Sequence, residues 1–398
     1  MSDQQLPSID ELEVSGKRVL VRCDLNVPLK DGAITDDMRI RAALPTLDAL
    51  LDRGARVAVC SHLGRPKGKV NDELRLAPVG RRLSELLVRD VTAVPEIVGD
   101  GAREACASDA EVVLLENLRF EPGEEANDDD FAKALSSLAD AYVNDAFGAS
   151  HRAHASIVGP PEHLPSAAGR LLHEEVGKLG RLLEDPEHPF VAVLGGAKVS
   201  DKLDVIGNLL ERVDAFCIGG AMAFTLLVAR GQDVGRSLVE KERVQDVKAM
   251  IESADAKGVA IHLPSDVVAA PEPQEGAPHE TVPLRDIGDR MGVDIGPETT
   301  GMFAATIVGA RTVLWNGPMG IFEIPDYAAG TLGVATAISE ATAEGAFTVA
   351  GGGDSAAALA QFQMTDAVSH LSTGGGASLE LLEGKDLPGV AALRQAAS

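Results

Sequence analysis

Several things are scarce in this chain of 398 residues. It has only four cysteines, Cys23, Cys60, Cys106 and Cys217. They lie far apart with no CxxC pair, so neither zinc-ligand spacing nor a disulfide framework is encoded, and buried reduced thiols are expected. Positive charge is short too: 36 Lys and Arg stand against 61 Asp and Glu, a net charge of −25. Nucleic acid as the main partner requires a basic face, so it is excluded. No unbroken apolar run approaches the roughly 20 residues that span a bilayer, so no membrane partner is expected. The amino-terminal stretch MSDQQLPSIDELEVSGKR lacks the basic, apolar and small-residue segments of a secretory signal, and the expected location is the cytoplasm. Lysine is scarcest among the charged residues, 12 against 24 arginines. With acids dispersed along the chain, the balance suits a solvated surface in a salty, halophilic cytoplasm.

What is present is an alternation. The chain exceeds the roughly 250–300 residues at which one core stops growing, so two domains are expected. Short apolar runs alternate with helix-length segments: RVLVRC (18–23), RVAVC (56–60), EVVLLE (111–116) and AYVND (141–145), then FVAVL (190–194), AFCIG (215–219), TVLWN (312–316) and FTVAG (347–351). This reads as parallel α/β architecture. Between the two sets lie GPPEHLP (159–165), an apolar-periodic segment AAGRLLHEEVGKLGRLL (167–183) and DPEHP (185–189), which predict an exit, a connecting helix and a second entry. AAPEPQEGAPHETVP (269–283) is rich in proline and acid without periodicity and predicts a surface loop.

In open parallel sheets ligands bind beyond the carboxyl ends of the strands. First-half runs are followed there by Asp24 and Asn26, by His62 and Arg65, by Asn117 and Arg119, and by His151, Arg152 and His154. Second-half runs are followed by Gly195-Gly196, Gly219-Gly220, Gly317 and Gly351-Gly352-Gly353. One half offers cationic side chains and the other bare backbone.

Glycines between a strand and a helix let backbone amides approach a phosphate, and the helix start adds partial positive charge. LGGAKVSDKLDVIGNLL (194–210) carries Lys198 and Lys202, read as one face of the first turns, where like charges repel unless an anion binds. AGGGDSAAALAQF (350–362) sets Asp354 at a helix start, placed to hold a Mg²⁺ that bridges nucleotide phosphates. Neither loop matches GxxxxGK[ST] or GxGxxG. TDDMRIRAALPTLDALLDRG (35–54) predicts a helix with Thr35 as N-cap and Arg39 near its start, against the macrodipole. Taken singly, each feature has an ordinary explanation. Arg39 can pair with Asp36, Arg119 with Glu116 or Glu121, Asp354 can be a plain cap, and HRAH a solvated loop. Their collection at the strand ends of one sheet, in an acidic protein, argues for a built anion site.

At this point a family resemblance is specific. VRCDLNVP (21–28), MRIRAALPTL (38–47), SHLGRP (61–66), LLENLRF (114–120), YVNDAFGASHRAH (142–154), LGGAKVSDK (194–202), GGAMAFTLL (219–227), DIGPET (294–299), WNGPMGIFE (315–323), GGGDS (351–355) and STGGGASLELLEGK (372–385) follow the order seen in phosphoglycerate kinases across nearly the whole chain. Leu25, Ala149-Ser150 and Gly219-Gly220-Ala221 depart from the usual pattern without removing a charged site residue.

The resemblance implies two Rossmann-like domains with parallel sheets, joined by a connecting helix and a hinge. The implied bounds are 1–166 for a 3-phosphoglycerate-binding domain, 167–185 for the connecting helix and 186–376 for a nucleotide-binding domain, with a tail from about 377–398 returning to the first. It implies reversible, hinge-bending phosphoryl transfer between 1,3-bisphosphoglycerate and MgADP, by a monomer that takes no cofactor beyond Mg²⁺. Asp24, Asn26, Arg39, His62, Leu63, Gly64, Arg65, Arg119, His151, Arg152 and His154 fall on the substrate side. Gly195, Lys198, Lys202, Gly292, Asn316, Glu323, Gly352, Gly353, Asp354 and Ser355 fall on the nucleotide side. Glu323 is assigned to ribose, Gly292 to the adenine pocket, and Asp354 to the metal. Arg39 and Lys198 are assigned to the phosphoryl group in flight. Transfer of this kind needs placement and charge, and the substrate carboxylate that attacks is already ionised, so no covalent nucleophile or general base is expected. A non-catalytic anion-binding protein and a kinase for another small acid are the alternatives; an assay with 3-phosphoglycerate separates them.

Overall fold

The computed structural model describes residues 6–397; the first five residues of the acidic amino-terminal stretch and Ser398 lie outside them. The chain forms two compact units. One comprises residues up to Gly177 together with those from Asp386 onward, and the other runs from Lys178 to Lys385.

In the first unit six strands form one parallel sheet in the order Val91–Ala93, Val112–Leu114, Arg56–Cys60, Arg18–Cys23, Ala141–Asp145, Ser166–Ala168. The central strands are apolar runs because both faces are covered by helices. Val19, Leu20, Val21, Val57, Ala58, Val59 and Val143 are completely inaccessible. Each large aliphatic among them contributes about 1.5–3 kcal/mol over an exposed position. The central position of Arg18–Cys23 places its carboxyl end, and Asp24 beyond it, between the ends of Arg56–Cys60 and Ala141–Asp145. The residues that follow these three strands are therefore neighbours in space.

The second unit repeats the plan with the order Ala260–His262, Ala215–Ile218, Phe190–Leu194, Thr312–Asn316, Phe347–Gly351, His370–Leu371, again parallel. It adds an antiparallel sheet in which Asp266–Ala270 lies between Glu280–Pro283 and Met291–Ile295. The expected loop over 269–283 is thus a hairpin: its ends are strand and only 271–279 is irregular. Of its four prolines, Pro271, Pro273 and Pro278 fall in that irregular part, where they remove no ladder hydrogen bond, and Pro283 ends the edge strand Glu280–Pro283.

Two further expectations shift. The helix Met38–Asp52 starts later than Thr35; Asp36 Oδ1 accepts from Met38 N at 2.9 Å, and the helix continues through Pro45. The segment holding Lys198 is not helical, because Ser200 donates through both N and Oγ to Glu240, at 3.0 and 2.6 Å, and this tie holds the stretch as turns. The helix there is only Leu203–Leu209, with Lys202 as its N-cap. The boundary between units falls inside the connecting helix Arg170–Glu184. Residues from Asp386 onward group with the first unit, while Gly376–Leu382 packs on Leu203–Leu209, with Asn208 Nδ2 donating to Leu382 O at 2.7 Å.

All four cysteines are buried free thiols. Burial raises the pKa of each, as at Cys60, pushed up to about 12, so none is an activated nucleophile. Among the described residues no helix is long and apolar enough to cross a membrane.

Candidate active site

In the first unit the sheet's carboxyl edge carries a tied cluster. Arg39 donates to Asp24 Oδ2 at 2.6 Å, and Asp24 is nearly buried. The partner is therefore not Asp36, the ordinary alternative, which is occupied by the helix start. Asn26 Oδ1 accepts from Gly64 N at 2.9 Å and so fixes the loop after Arg56–Cys60. Asn117, wholly buried, accepts from Leu63 N and Arg119 N, both at 3.1 Å, and donates to Leu63 O at 2.8 Å. One side chain thereby sets two loops. Arg119 donates to Gly64 O at 2.7 Å and pairs with Glu125 at 3.2 Å, not with Glu116 or Glu121. Glu116 instead accepts from Leu76 N and pairs with Arg75.

Arg65 is exposed and Arg152 half-buried, its Nε donating to His151 Nε2 at 3.2 Å. Two of the three histidines, His62 and His154, do not supply the charge. Burial, then the neighbouring arginines, drives His154 down to about 4 and His62 well below its ordinary value. Arg39, Arg65, Arg119 and Arg152 give the cluster its cationic character, and the rings of His62 and His154 are neutral hydrogen-bonding groups near pH 7.

The second unit's edge is built from backbone. Gly195 N donates to Asn316 O, Gly196 N to Pro318 O, Gly220 N to Met319 O and Met222 N to Gly196 O, all within 3.0–3.1 Å. Three loops lie backbone on backbone. A Cβ on Gly195 would fall 2.0 Å from Pro318 O, and one on Gly220 2.5 Å from Gly196 N. These glycines are required by loop packing, before any ligand is considered. Around Gly353, by contrast, nothing lies within 4 Å of a built Cβ. It opens the helix Gly353–Gln361, whose first turn contains Asp354 and has no side-chain cap. Ser355 faces inward, accepting from Gly317 N at 2.7 Å, and Trp315 Nε1 donates to Gly317 O at 2.9 Å. Asn316, buried, donates to Gly351 O at 2.9 Å and steadies the glycine run.

These loops wall a cleft of about 230 Å³, lined among others by Phe224, Gly292, Ile321, Glu323 and Asp354. Gly292 must be glycine because the Phe224 ring lies where its Cβ would be. Its floor and sides are mostly apolar, as a planar base requires. Lys202 sits near Asp201 and Asp354, and burial lowers it to about 8, a penalty a bound anion would relieve. Lys198 is exposed, near Glu240.

The sequence reading passed over four side chains under these edges. Arg22 and Glu124 are both inaccessible and pair at 3.8 Å beneath the basic cluster. Asp145 and Asp294 are buried carboxylates that burial raises to about 7. The one available signal was a charge inside a strand with no exposed face, as in RVLVRC.

Comparison with known proteins agrees with the geometry. The phosphoglycerate kinase family profile matches residues 9–385. A phosphoglycerate kinase of Thermomicrobium roseum is 54% identical over 393 residues, covering 98% of this chain and 100% of that protein. One of Moorella thermoacetica is 55% identical over 391 residues, covering 98% and 99%. The structure of the phosphoglycerate kinase from Coxiella burnetii superposes with a TM-score of 0.91 at 41% identity, covering 99% of this chain and 100% of that one. A matching family profile over nearly the full length, together with relatives above half identity, leaves one conclusion: the chain belongs to the phosphoglycerate kinase family.

Proposed function

We propose that the two edges divide the reaction of this phosphotransferase between them, the first unit binding 3-phosphoglycerate or 1,3-bisphosphoglycerate and the second ADP or ATP. The observation that carries the assignment is the contrast in donors. Four arginines, Asn26 and neutral His62 and His154 gather at one sheet edge, a fit for a small acid phosphate whose every oxygen needs a directed donor. A glycine-walled, apolar cleft with an open helix start fits a nucleotide.

In this reading Arg119, Arg152 and Arg65 hold the substrate phosphate and carboxylate, while Asp24 accepts from the substrate hydroxyl and orients Arg39. Arg39 retains unpaired N–H groups beyond the one given to Asp24, and it meets the phosphoryl group together with Lys198. Lys202 and the amides of Gly352 and Gly353 hold nucleotide phosphates, and Glu323 faces the ribose. Among the described residues no group of three or more His, Cys, Asp or Glu could hold a metal ion, which fits a Mg²⁺ that arrives with the nucleotide and takes a single protein carboxylate, Asp354. When bound, the ion neutralises phosphate charge. The attacking carboxylate oxygen needs no proton removed, so the protein's part is orientation, charge and exclusion of water.

The test is a coupled assay of ATP-dependent activity with 3-phosphoglycerate. Activity on another small acid but none on 3-phosphoglycerate would overturn the assignment. We further propose action as a cytoplasmic monomer with a salt-adapted acidic surface. A net charge of −25 on 398 residues repels itself less as added salt shortens the Debye length from about 10 Å at 0.1 M to 3 Å at 1 M. The melting temperature is therefore expected to rise with KCl.

A further inference from the structure

The buried charges beneath the basic cluster form one hydrogen-bonded group. Arg22 is wholly inaccessible, the one charged residue facing the core from the strand Arg18–Cys23 at that end. Its Nε donates to Ser156 Oγ at 2.9 Å, one terminal amine donates to Cys23 O, and the other reaches His62 Nδ1 at 3.1 Å. Glu124, equally buried, accepts from Ser156 N at 2.9 Å and Ser156 Oγ at 2.7 Å, and its Oε1 lies 3.8 Å from His154 Nδ1.

A guanidinium has no acceptor atom and keeps its proton, so at the Arg22–His62 contact the ring nitrogen must accept. Nδ1 therefore carries the lone pair. The proton of the neutral ring is on Nε2, which lies 4.0 Å from Asp24 Oδ1, toward the substrate edge. We infer that Arg22, backed by Ser156 and Glu124, is a positioning residue that locks His62 as the Nε2–H tautomer, so that His62 presents the substrate with a fixed donor. This rests on the assignment of His62 to the 3-phosphoglycerate site.

The lock explains two things at once. A buried arginine is costly unless every N–H is satisfied, and here its partners are a serine, a carbonyl and a histidine, with Glu124 as counter-charge. A ring with both nitrogens protonated would drive an N–H against the guanidinium, so His62 resists charging even beside an anion. The other groups facing the ring act the same way: Arg119, Arg39 and His154 all oppose its protonation, after burial, while Asp24 lies 4.0 Å from Nε2 and Glu124 is held behind Arg22.

The experiment is long-range ¹H–¹⁵N correlation of the histidine rings in the full-length wild-type protein, with His62→Gln to assign the signal. His62 should show an unprotonated Nδ1 and a protonated Nε2, unchanged from neutral pH down to about 5.5, where a free histidine would be mostly charged. The Nδ1–H tautomer, or a ring that titrates normally, would overturn the inference. Arg22→Met should release the ring into both tautomers and raise KM for 3-phosphoglycerate about tenfold while kcat changes less, the loss of one oriented hydrogen bond. Because that variant strands Glu124, Arg22→Met/Glu124→Gln removes both charges and provides a folded control; an Nε2–H ring and unchanged KM in this double variant would also overturn it. Adding 3-phosphoglycerate to wild type should shift the His62 ring signals. A locked tautomer with no shift would remove the site assignment and, with it, the positioning role, while leaving the tautomer itself in place.

Discussion

The two units share a sheet plan and differ in what they place at its carboxyl edge. In the first, the edge is built from side chains and loops whose positions depend on other side chains: Arg39 on Asp24, Gly64 on Asn26, Leu63 and Arg119 on Asn117, and His62 on Arg22. In the second it is by loops whose geometry depends on the absence of side chains, Gly195 and Gly220 meeting the loop after Thr312–Asn316. A small, highly charged acid offers little area, so directed ionic hydrogen bonds must do most of the binding. A nucleotide offers a broad apolar base and a phosphate tail, which a cleft and a helix start can hold with few charges. The first edge should therefore be sensitive to loss of single side chains, and the second to additions on its backbone.

The largest effect that would sharpen this contrast is at Arg39. An arginine that meets the phosphoryl group mainly in the transition state should, when lost, lower kcat far more than it raises KM. In GTPases such an arginine is worth roughly 10³–10⁵ in kcat, and Arg39→Ala should approach the lower figure, since Lys198 remains. Arg39→Lys should recover only part, because a point charge lacks the planar fork. Steady-state kinetics in the ATP-consuming direction, with circular dichroism for folding, decides. A folded Arg39→Ala enzyme with near-normal kcat would make this residue merely the partner of Asp24.

A second effect tests what the units have in common. Each contains a buried carboxylate that takes helix-start amides and is raised by burial: Asp145 Oδ1 accepts from Leu171 N at 3.0 Å, and Asp294 Oδ2 from Gly330 N at 2.7 Å. Burial, outweighing those hydrogen bonds, pushes both up to about 7. A folded pKa above the unfolded value gives stability that is complete below about pH 4 and is lost as pH rises through 7, on the order of 4 kcal/mol per group. Asp145→Asn and Asp294→Asn should therefore gain stability relative to wild type as pH climbs from 4 to 7. Denaturant melts at both ends of that window test it; a difference independent of pH would mean that the carboxylates titrate ordinarily.

Next comes the crossing of sites, where about tenfold or more in affinity is expected for loss of one charged contact. Asp354→Ala should weaken MgATP and leave 3-phosphoglycerate nearly untouched, and Arg65→Ala should do the reverse. Calorimetric titration of each ligand into each variant reads this directly. Equal loss of both ligands in both variants would dissolve the division of labour between the edges.

The legibility of the chain follows the same division. Strands such as Phe190–Leu194 and Thr312–Asn316 could be read off because a doubly covered parallel strand is an unbroken apolar run. The candidate site residues are singled out because strand ends gather at one edge and because the motifs are dense. What could not be read is pairing across long separations. Arg39 finds an acid 15 positions back instead of a neighbouring one, Ser200 is held by Glu240 rather than joining a helix, and Arg22 meets Ser156 at a separation of 134. Gly195 and Gly220 are singled out for the approach of a phosphate, whereas close approach of another loop already demands them.

The smallest expected effect lies away from both edges and compares two helix ends. Ala77–Leu87 in the first unit ends on Val88, and Val244–Lys257 in the second ends on Gly258; both end residues are left-handed, with φ of 53° and 72°. Glycine takes this conformation freely, whereas a side chain costs roughly 1–2 kcal/mol, and a β-branched one is among the worst choices. Val88 is 87% exposed, so its side chain recovers little of that cost through burial. Val88→Gly should relieve the strain but loses part of the gain to the more flexible unfolded chain, roughly 0.5–1 kcal/mol, leaving a net stabilisation of about 0.5–1 kcal/mol. Gly258→Val has open space around the new Cβ, nothing lying within 4 Å, so only the conformational strain should appear, as a destabilisation of similar or slightly larger size. Thermal unfolding should move by a few degrees in opposite directions in the two variants, with kcat and both KM values unchanged. Shifts of the same sign would show that contacts, and not backbone conformation, decide these two caps.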